Sequence, residues 1–230
     1  MMSMWNSMPM PRASRSKVLK VGSCSPASGR SALHRHRYEQ IKALGADLIE
    51  DYELVYPLEP FEIADVLGVH VAIHNEGLPV TAQRFSTSDG YTEPVASRHG
   101  WKFRIHINGS TPGIRQRFTL MHELAHIWLD HLRADAILTD ERAEGEANFL
   151  ANYLLAPDAL VVLWAPELTI SAIAQAFRMS DEAAEIAHGR VLRAINRGTI
   201  GKPLDHRIAT CATRRIDASV TELSVRLRLV

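Results

Sequence analysis

The chain has 230 residues, 46% of them apolar, and its 26 Lys and Arg are balanced by 26 Asp and Glu. That length can bury a sizeable core in one catalytic-size domain with a smaller companion region. The zero formal charge leaves no global field to draw the protein to nucleic acid, an anionic membrane or an acidic substrate.

Two distant cysteines, Cys24 and Cys211, imply neither a disulfide framework nor a cysteine metal site, so a reducing cytoplasm is the expected compartment. The longest apolar runs, such as "LVVLWA" at 160–165, are far shorter than the roughly 20 residues that cross a bilayer. No membrane association is expected. Residues 1–32 read as a disordered basic leader: the first 38 residues hold seven Lys/Arg, no acid and many Ser, Met and Pro, too little apolar matter to offset the entropy of ordering. The same composition fits a transit peptide or an arm that touches nucleic acid, and the repeated Met residues fit a start further downstream.

A first ordered domain is expected over 33–165. Tyr38, Ile41, Leu44, Leu48 and Ile49 recur at helical spacing from Leu33 onward. "PLEPFEIADVLGVHVAI" reads as a Pro-started helix over 60–67, a stop at Gly68 and a short strand over 69–73. Residues 75–100 read as a loop or weak hairpin. In "GWKFRIHINGS", Phe103, Ile105 and Ile107 alternate with Arg104, His106 and Asn108 before an Asn-Gly turn, the period of a half-buried strand. Helices follow over about 113–132 and 140–155. The fold class is therefore α+β, with a mainly helical region over 166–230 that ends in an alternating stretch, "ASVTELSVRLRLV", with the pattern of a strand.

The chemistry sits in "FTLMHELAHIWLDH", residues 118–131. On a helix at about 100° per residue, His122 and His126 stand one above the other, about 40° apart around the axis, so one ion can touch both rings. Glu123 is too close to the backbone to be an easy ligand and is placed instead to act on water, which is the H-E-x-x-H arrangement of two zinc ligands and a general base. Phe118, Met121, Ala125, Trp128, Leu129 and Leu132 form one apolar stripe; Leu120, Leu124 and Ile127 form another. Thr119, His122, Glu123, His126 and Asp130 occupy the strip between them, as the floor of a cleft would.

Catalytic zinc takes three protein ligands, and Glu141, Glu144 and Glu146 are the downstream candidates. Projection of 140–155 puts Glu144 about 60° from the centre of the apolar stripe, Glu146 about 100° and Glu141 about 120°. Glu144 therefore borders the packed face, while Glu141 and Glu146 are expected on a solvated surface. Asn148, one turn on from Glu144, is placed to hydrogen-bond a ligand histidine or Glu144 itself.

These blocks, "PFEIADVLGVHV", "IHINGSTPGIRQRFTLMHELAHIWLDH" and "EGEANFLANYLLAP" in that order, resemble the ImmA/IrrE family of metallopeptidases over about residues 57–157. The resemblance implies a zincin-like core of small sheet, active-site helix and glutamate-bearing helix. It implies Zn²⁺ ligands at His122, His126 and Glu144, a catalytic base at Glu123, and a protein substrate, a helix-turn-helix transcriptional repressor tied to mobile elements or stress responses. Ala125 stands where the family often has Gly, Leu150 where Phe is common, and "LLAP" replaces "LLMP". These are packing positions, so the departures touch the approach of the helices and leave the chemistry in place.

By residue type Tyr153, His131 and His106 are candidates to stabilise an oxyanion. Each also has a plainer place: an outer helix face, a helix end and the polar face of a strand. The strand at 103–108 is the expected backbone edge for an extended substrate. In the tail, "IAQAFRMSDEAAEIAHGRVLRAI" suits two helices joined at Met179–Ser180 with Ser180 as N-cap, resembling a helix-turn-helix. Only Arg190 and Arg193 offer positive charge on its second helix, so packing or substrate docking is favoured over DNA reading. The competing function is a zinc-stabilised module without activity that binds a regulator or DNA, and Glu123 argues against it, since a structural site has no use for a base beside its ligands. A digestive protease is disfavoured by the lack of a secretion signal.

Overall fold

The structure, a computed structural model, describes residues 28–75, 85–86, 88–97, 100–132 and 140–213. The expectations for residues 1–27 and for a strand after 217 lie outside these. The chain divides into two compact units, Met1–Gln40 and Ile41–Val230. The described part of the first unit is helical and is the beginning of α1 (Ser28–Asp51). The second unit carries everything that follows, including the rest of α1, whose Ile41, Leu48 and Ile49 are buried.

After α1 come α2 (Pro60–Val66) and the strand β1 (His70–His74), with Gly68 at φ 66° making the turn between them. Two further strands, β2 (Gly90–Ser97) and β3 (Gly100–Asn108), form an antiparallel pair, and β1 joins the other side of β3 in parallel. The order β1-β3-β2 makes β3 the central strand. The expectation that residues 103–108 offer a free edge is thus overturned, because both sides of that strand are already hydrogen-bonded to neighbours. Among the described residues the free edge next to the site belongs to β2, in the stretch read from sequence as loop or weak hairpin.

Alternation along β3 holds as expected: Ile105 and Ile107 are fully buried against the helices. In register with them on the same face are Thr92, opposite Ile105, and Gly90, opposite Ile107. His106 lies on the other face, paired in register with Tyr91 and Ala72.

The helix α3 (Gly113–Trp128) packs against this inner sheet face and against α4 (Asp140–Leu155). It ends four residues sooner than its apolar pattern suggests. Asp130 takes the left-handed conformation at φ 63°, and the N–H groups of Asp130 and His131 bond back to the carbonyls of Ile127 and His126, at 3.2 and 3.0 Å. This Schellman closure satisfies carbonyls that the last turn leaves open. It also folds His131 back beside His126.

The remaining helices are α5 (Asp158–Trp164), α6 (Ile170–Phe177), α7 (Asp181–Asn196) and α8 (Pro203–Thr213). Thr169 and Ser180 cap α6 and α7, each hydroxyl accepting a hydrogen bond from a backbone N–H three residues on at 3.2 Å. The expected helix pair joined at Met179–Ser180 is present. A buried polar knot ties α7 down: Arg190 donates to Asp158 Oδ1 at 2.6 Å and also to Asn152 Oδ1 and the Ala156 carbonyl, while Lys42 reaches Asp158 Oδ2 at 2.7 Å. Glu59 receives both Arg117 from α3 and Arg178 from the end of α6. Asp140–Trp164 is long and apolar enough by composition to cross a membrane, yet it is two helices and most of its apolar stretch is buried inside the protein.

Candidate metal centre

Three of the sequence-selected side chains meet. His122 Nε2 and His126 Nε2 are 3.0 Å apart, and Glu144 on α4 brings Oε2 to 3.1 Å from the first and Oε1 to 3.2 Å from the second. Among the described residues this is the one group of His, Cys, Asp or Glu with metal-binding geometry. Ligand atoms about 2.0–2.1 Å from a tetrahedral zinc stand about 3.3 Å from one another, so the triangle is a few tenths of an ångström tighter than a filled cage. Two imidazoles and a carboxylate aimed at one point also form the donor set that zinc prefers, and a cation there would relieve the crowding of three electron-rich atoms. The residues fit the ion.

Electrostatics agree with that reading. Burial, reinforced by neighbouring His122 and His131 and opposed by Glu144, lowers the His126 pKa to about 4, so that ring is neutral near pH 7. Glu144 is held below the usual carboxylate range, first by its hydrogen bond with His122, against the opposing effect of its own burial. Ligands must be unprotonated to bind metal, and both residues are biased that way.

Glu123 stands beside the triangle and does not join it. It is buried, and its Oε2 accepts a hydrogen bond from Thr92 Oγ1 at 2.7 Å. Burial pushes its pKa up; the Thr92 hydroxyl and His122 pull it down, and Glu144 pushes it up again. The result is a carboxylate with its proton affinity raised, as a general base needs.

Thr92 was not legible from the sequence, where it sits in a weakly patterned stretch. The alternation of "GYTEPVAS" was the one available signal. β2 reaches Glu123 because Gly90 lacks a side chain: a Cβ there would lie 2.5 Å from Thr119 Cγ2 and 3.6 Å from Glu123 Cγ. This close approach is also why the polar strip of α3, expected to line an open cleft, is covered over Thr119 and Glu123, both buried.

Several expectations are corrected. Glu146 is buried and not on a solvated surface; its Oε2 is 3.6 Å from His131 Nε2 and its Oε1 accepts from Arg142 Nε at 3.2 Å. Projection onto a single packed face missed it because His131, returned by the turn that ends α3, stands against a second side of α4. Asn148 is exposed and makes no hydrogen bond to His122, His126 or Glu144 among the described residues. Tyr153 is fully buried and lies near Lys42 and Arg190, 5.5 and 5.4 Å from its ring centroid. His106 is on the far sheet face, bonded to His74 at 2.7 Å and stacked on Tyr91. His131 is behind His126, with 3.2 Å between their Nδ1 atoms. None of the three oxyanion candidates therefore faces the triangle.

A family model described as the IrrE N-terminal-like domain of peptidase family M78 matches residues 64–187, a span that holds the sheet, both metal-site helices, α5, α6 and the first turns of α7. The chain belongs to this family. The match starts a little later than the sequence blocks that resemble the ImmA/IrrE proteins and runs about 30 residues further, so α6 and the start of α7 are part of the shared domain. The α+β architecture is that of an M78 domain, and membership assigns the protein to the metallopeptidases. No curated protein matches the chain.

Proposed function

We propose that this M78 protein is a zinc-dependent endopeptidase of the cytoplasm that cuts one specific protein partner, a helix-turn-helix transcriptional repressor. The observation that carries the reading is Glu123: a buried carboxylate of raised proton affinity, fixed by Thr92 beside a His-His-Glu triangle. A structural zinc site has no need of it.

His122, His126 and Glu144 would hold the ion. Bound there, zinc supplies Lewis acidity, polarising a peptide carbonyl and easing ionisation of the attacking water. Thr92 occupies Glu123 Oε2, leaving Oε1 to take the proton from that water. Glu123 then returns the proton to the amine that departs as the peptide bond breaks. The outer edge of β2 is open among the described residues, so an extended substrate segment can add to it as a further strand. That edge carries Thr92, which couples substrate docking to the orientation of the base.

Restriction to one partner follows from docking outside the cleft, for which the α6–α7 pair is suited. Direct reading of DNA by that pair is disfavoured, since Arg190, half of its positive charge on the second helix, is spent on Asp158 inside the core. The test uses the full chain loaded with zinc and a helix-turn-helix regulator encoded beside it. Wild type should cleave the regulator and lose that activity in EDTA, while Glu123→Gln should keep the zinc and cleave at least about a hundredfold more slowly. Equal cleavage by the variant removes Glu123 from the mechanism, and zinc binding without any cleavage favours the non-catalytic module.

A further inference from the structure

The side of His126 that faces away from the triangle has its own built environment. Its Nδ1 lies 3.2 Å from Nδ1 of His131, whose side chain is 2% exposed. Beyond that ring, His131 Nε2 is 3.6 Å from Glu146 Oε2, an ion-pair distance just outside hydrogen-bond length. Glu146 is 2% exposed, and its other oxygen is taken by Arg142. Two local features assemble this row: the Schellman closure at Asp130, which returns His131 to His126, and α4, which sends Glu144 to one side of His126 and Glu146 to the other.

Two ring nitrogens facing each other can share one proton, and where it sits decides what His126 can do. With the proton on His126 Nδ1, its Nε2 carries a lone pair and is a ligand. With the proton on His131 Nδ1, a neutral His126 carries its hydrogen on Nε2, aimed into the triangle, and cannot ligate. The far end of His131 makes the choice. An ionised carboxylate only accepts hydrogen bonds, so Glu146 places the His131 proton on Nε2 and leaves His131 Nδ1 to accept from His126.

We propose that Glu146 and His131 form a tautomer relay that holds His126 in its metal-binding form. They are positioning residues, acting through His126 and touching neither metal nor substrate. The proposal rests on the reading of His126 as a zinc ligand. Outer hydrogen-bond partners of ligand histidines commonly set tautomer and ring orientation, and their loss costs about 10–100-fold in metal affinity; here the partner is a second histidine with a carboxylate behind it.

The isosteric change Glu146→Gln separates this role from packing. Arg142 binds the amide oxygen, so the amide NH₂ faces His131 Nε2 and donates to it, which reverses both tautomers. His131→Gln makes the complementary test, because a glutamine can turn its own amide oxygen to His126 whatever stands at 146. Zinc affinity is measured on the full chain by competition with a chromophoric chelator. The absorption spectrum of the Co²⁺-loaded protein and the thermal midpoint of the metal-free protein accompany it.

Glu146→Gln is expected to weaken zinc binding about 10–100-fold and alter the Co²⁺ spectrum at nearly unchanged metal-free stability. His131→Gln should stay within a few-fold of wild type, and adding Glu146→Gln to it should cost little more. Equal harm from Glu146→Gln in both backgrounds would show plain packing and overturn the relay, as would wild-type affinity in Glu146→Gln or a large loss in His131→Gln alone. Each of these results leaves the metal centre standing. Failure of the wild type to bind zinc overturns the centre and the relay together.

Discussion

Replacement of Arg190 by methionine tests what holds the helical tail to the catalytic core. Methionine roughly fills the volume but removes the donors to Asp158, Asn152 and the Ala156 carbonyl. Asp158, 1% exposed, is then left with Lys42 as its cationic partner at 2.7 Å. Breaking a buried ion pair by removing one member costs about 3–5 kcal/mol, and the surviving Lys42 contact argues for the lower end, about 3 kcal/mol. For a domain of this size that is a fall of roughly 6–12 °C in the thermal midpoint.

The measurement is urea and thermal unfolding followed by circular dichroism with EDTA present, so that metal binding does not add to the folded state. Burial pushes the Asp158 carboxyl up, but Arg190 and Lys42 outweigh it and leave its pKa below the ordinary value. The contribution is therefore fully present above the unfolded carboxyl's pKa of about 3.9 and is lost only as pH falls through the lower folded value. The gap between wild type and variant should close as pH falls, once the buried Asp158 carboxyl, raised by burial when Arg190 is gone, takes up a proton in the variant while the wild-type carboxyl is still ionised. Changing Asp158 to leucine together with Arg190→Met should cost less than Arg190→Met alone, because no buried charge is then left. A loss below about 1 kcal/mol in Arg190→Met would refute the argument that this pair anchors α7.

Thr92→Val deletes the hydroxyl that holds Glu123 and preserves the shape of the strand. Hydrogen bonds to charged groups contribute about 1.5–3 kcal/mol, so kcat should fall about 10- to 100-fold with zinc content unchanged. Because Thr92 lowers the Glu123 pKa, the acid limb of the kcat profile should also move to higher pH; loss of zinc in place of these effects would contradict the assignment. In the metal-free protein His126 resists protonation down to about 4, whereas in the unfolded chain it protonates near 6.5. Its contribution to stability is thus full above pH 6.5 and lost between about 6.5 and 4. Urea midpoints should fall across that window and fall less steeply in His126→Gln; identical slopes would show that another group carries the effect.

Much of the site was legible because the relevant geometry is local. The spacing of His122 and His126 fixes their common helix face, and the Glu123 position follows from the same 3.6-residue turn. Selection of Glu144 over Glu141 by helical projection also matches where the three side chains lie, since it borders the contact between α3 and α4. Glu146 escaped because projection assumes one packed face, and here His131 stands against a second one. Tyr153 escaped for a related reason: the C-terminal half of α4 is buried all round, and a helix in that position has no outer face to assign.

The amino-acid order by itself determined most of the helices, the strand at 103–108, the His-Glu-His floor and the carboxylate that approaches it, because each depends on the periodicity and capping of a single stretch of chain. Only the tertiary structure decided which strand is the open edge, that Thr92 grips Glu123, that Gly90 lets β2 come so close, and that His131 and Glu146 stand behind His126. These depend on strand order, on the hand of one helix C-terminus and on packing between segments far apart in the chain. Local pattern constrains those relations weakly, because short-range preferences act within a segment and contacts between segments are settled by burial.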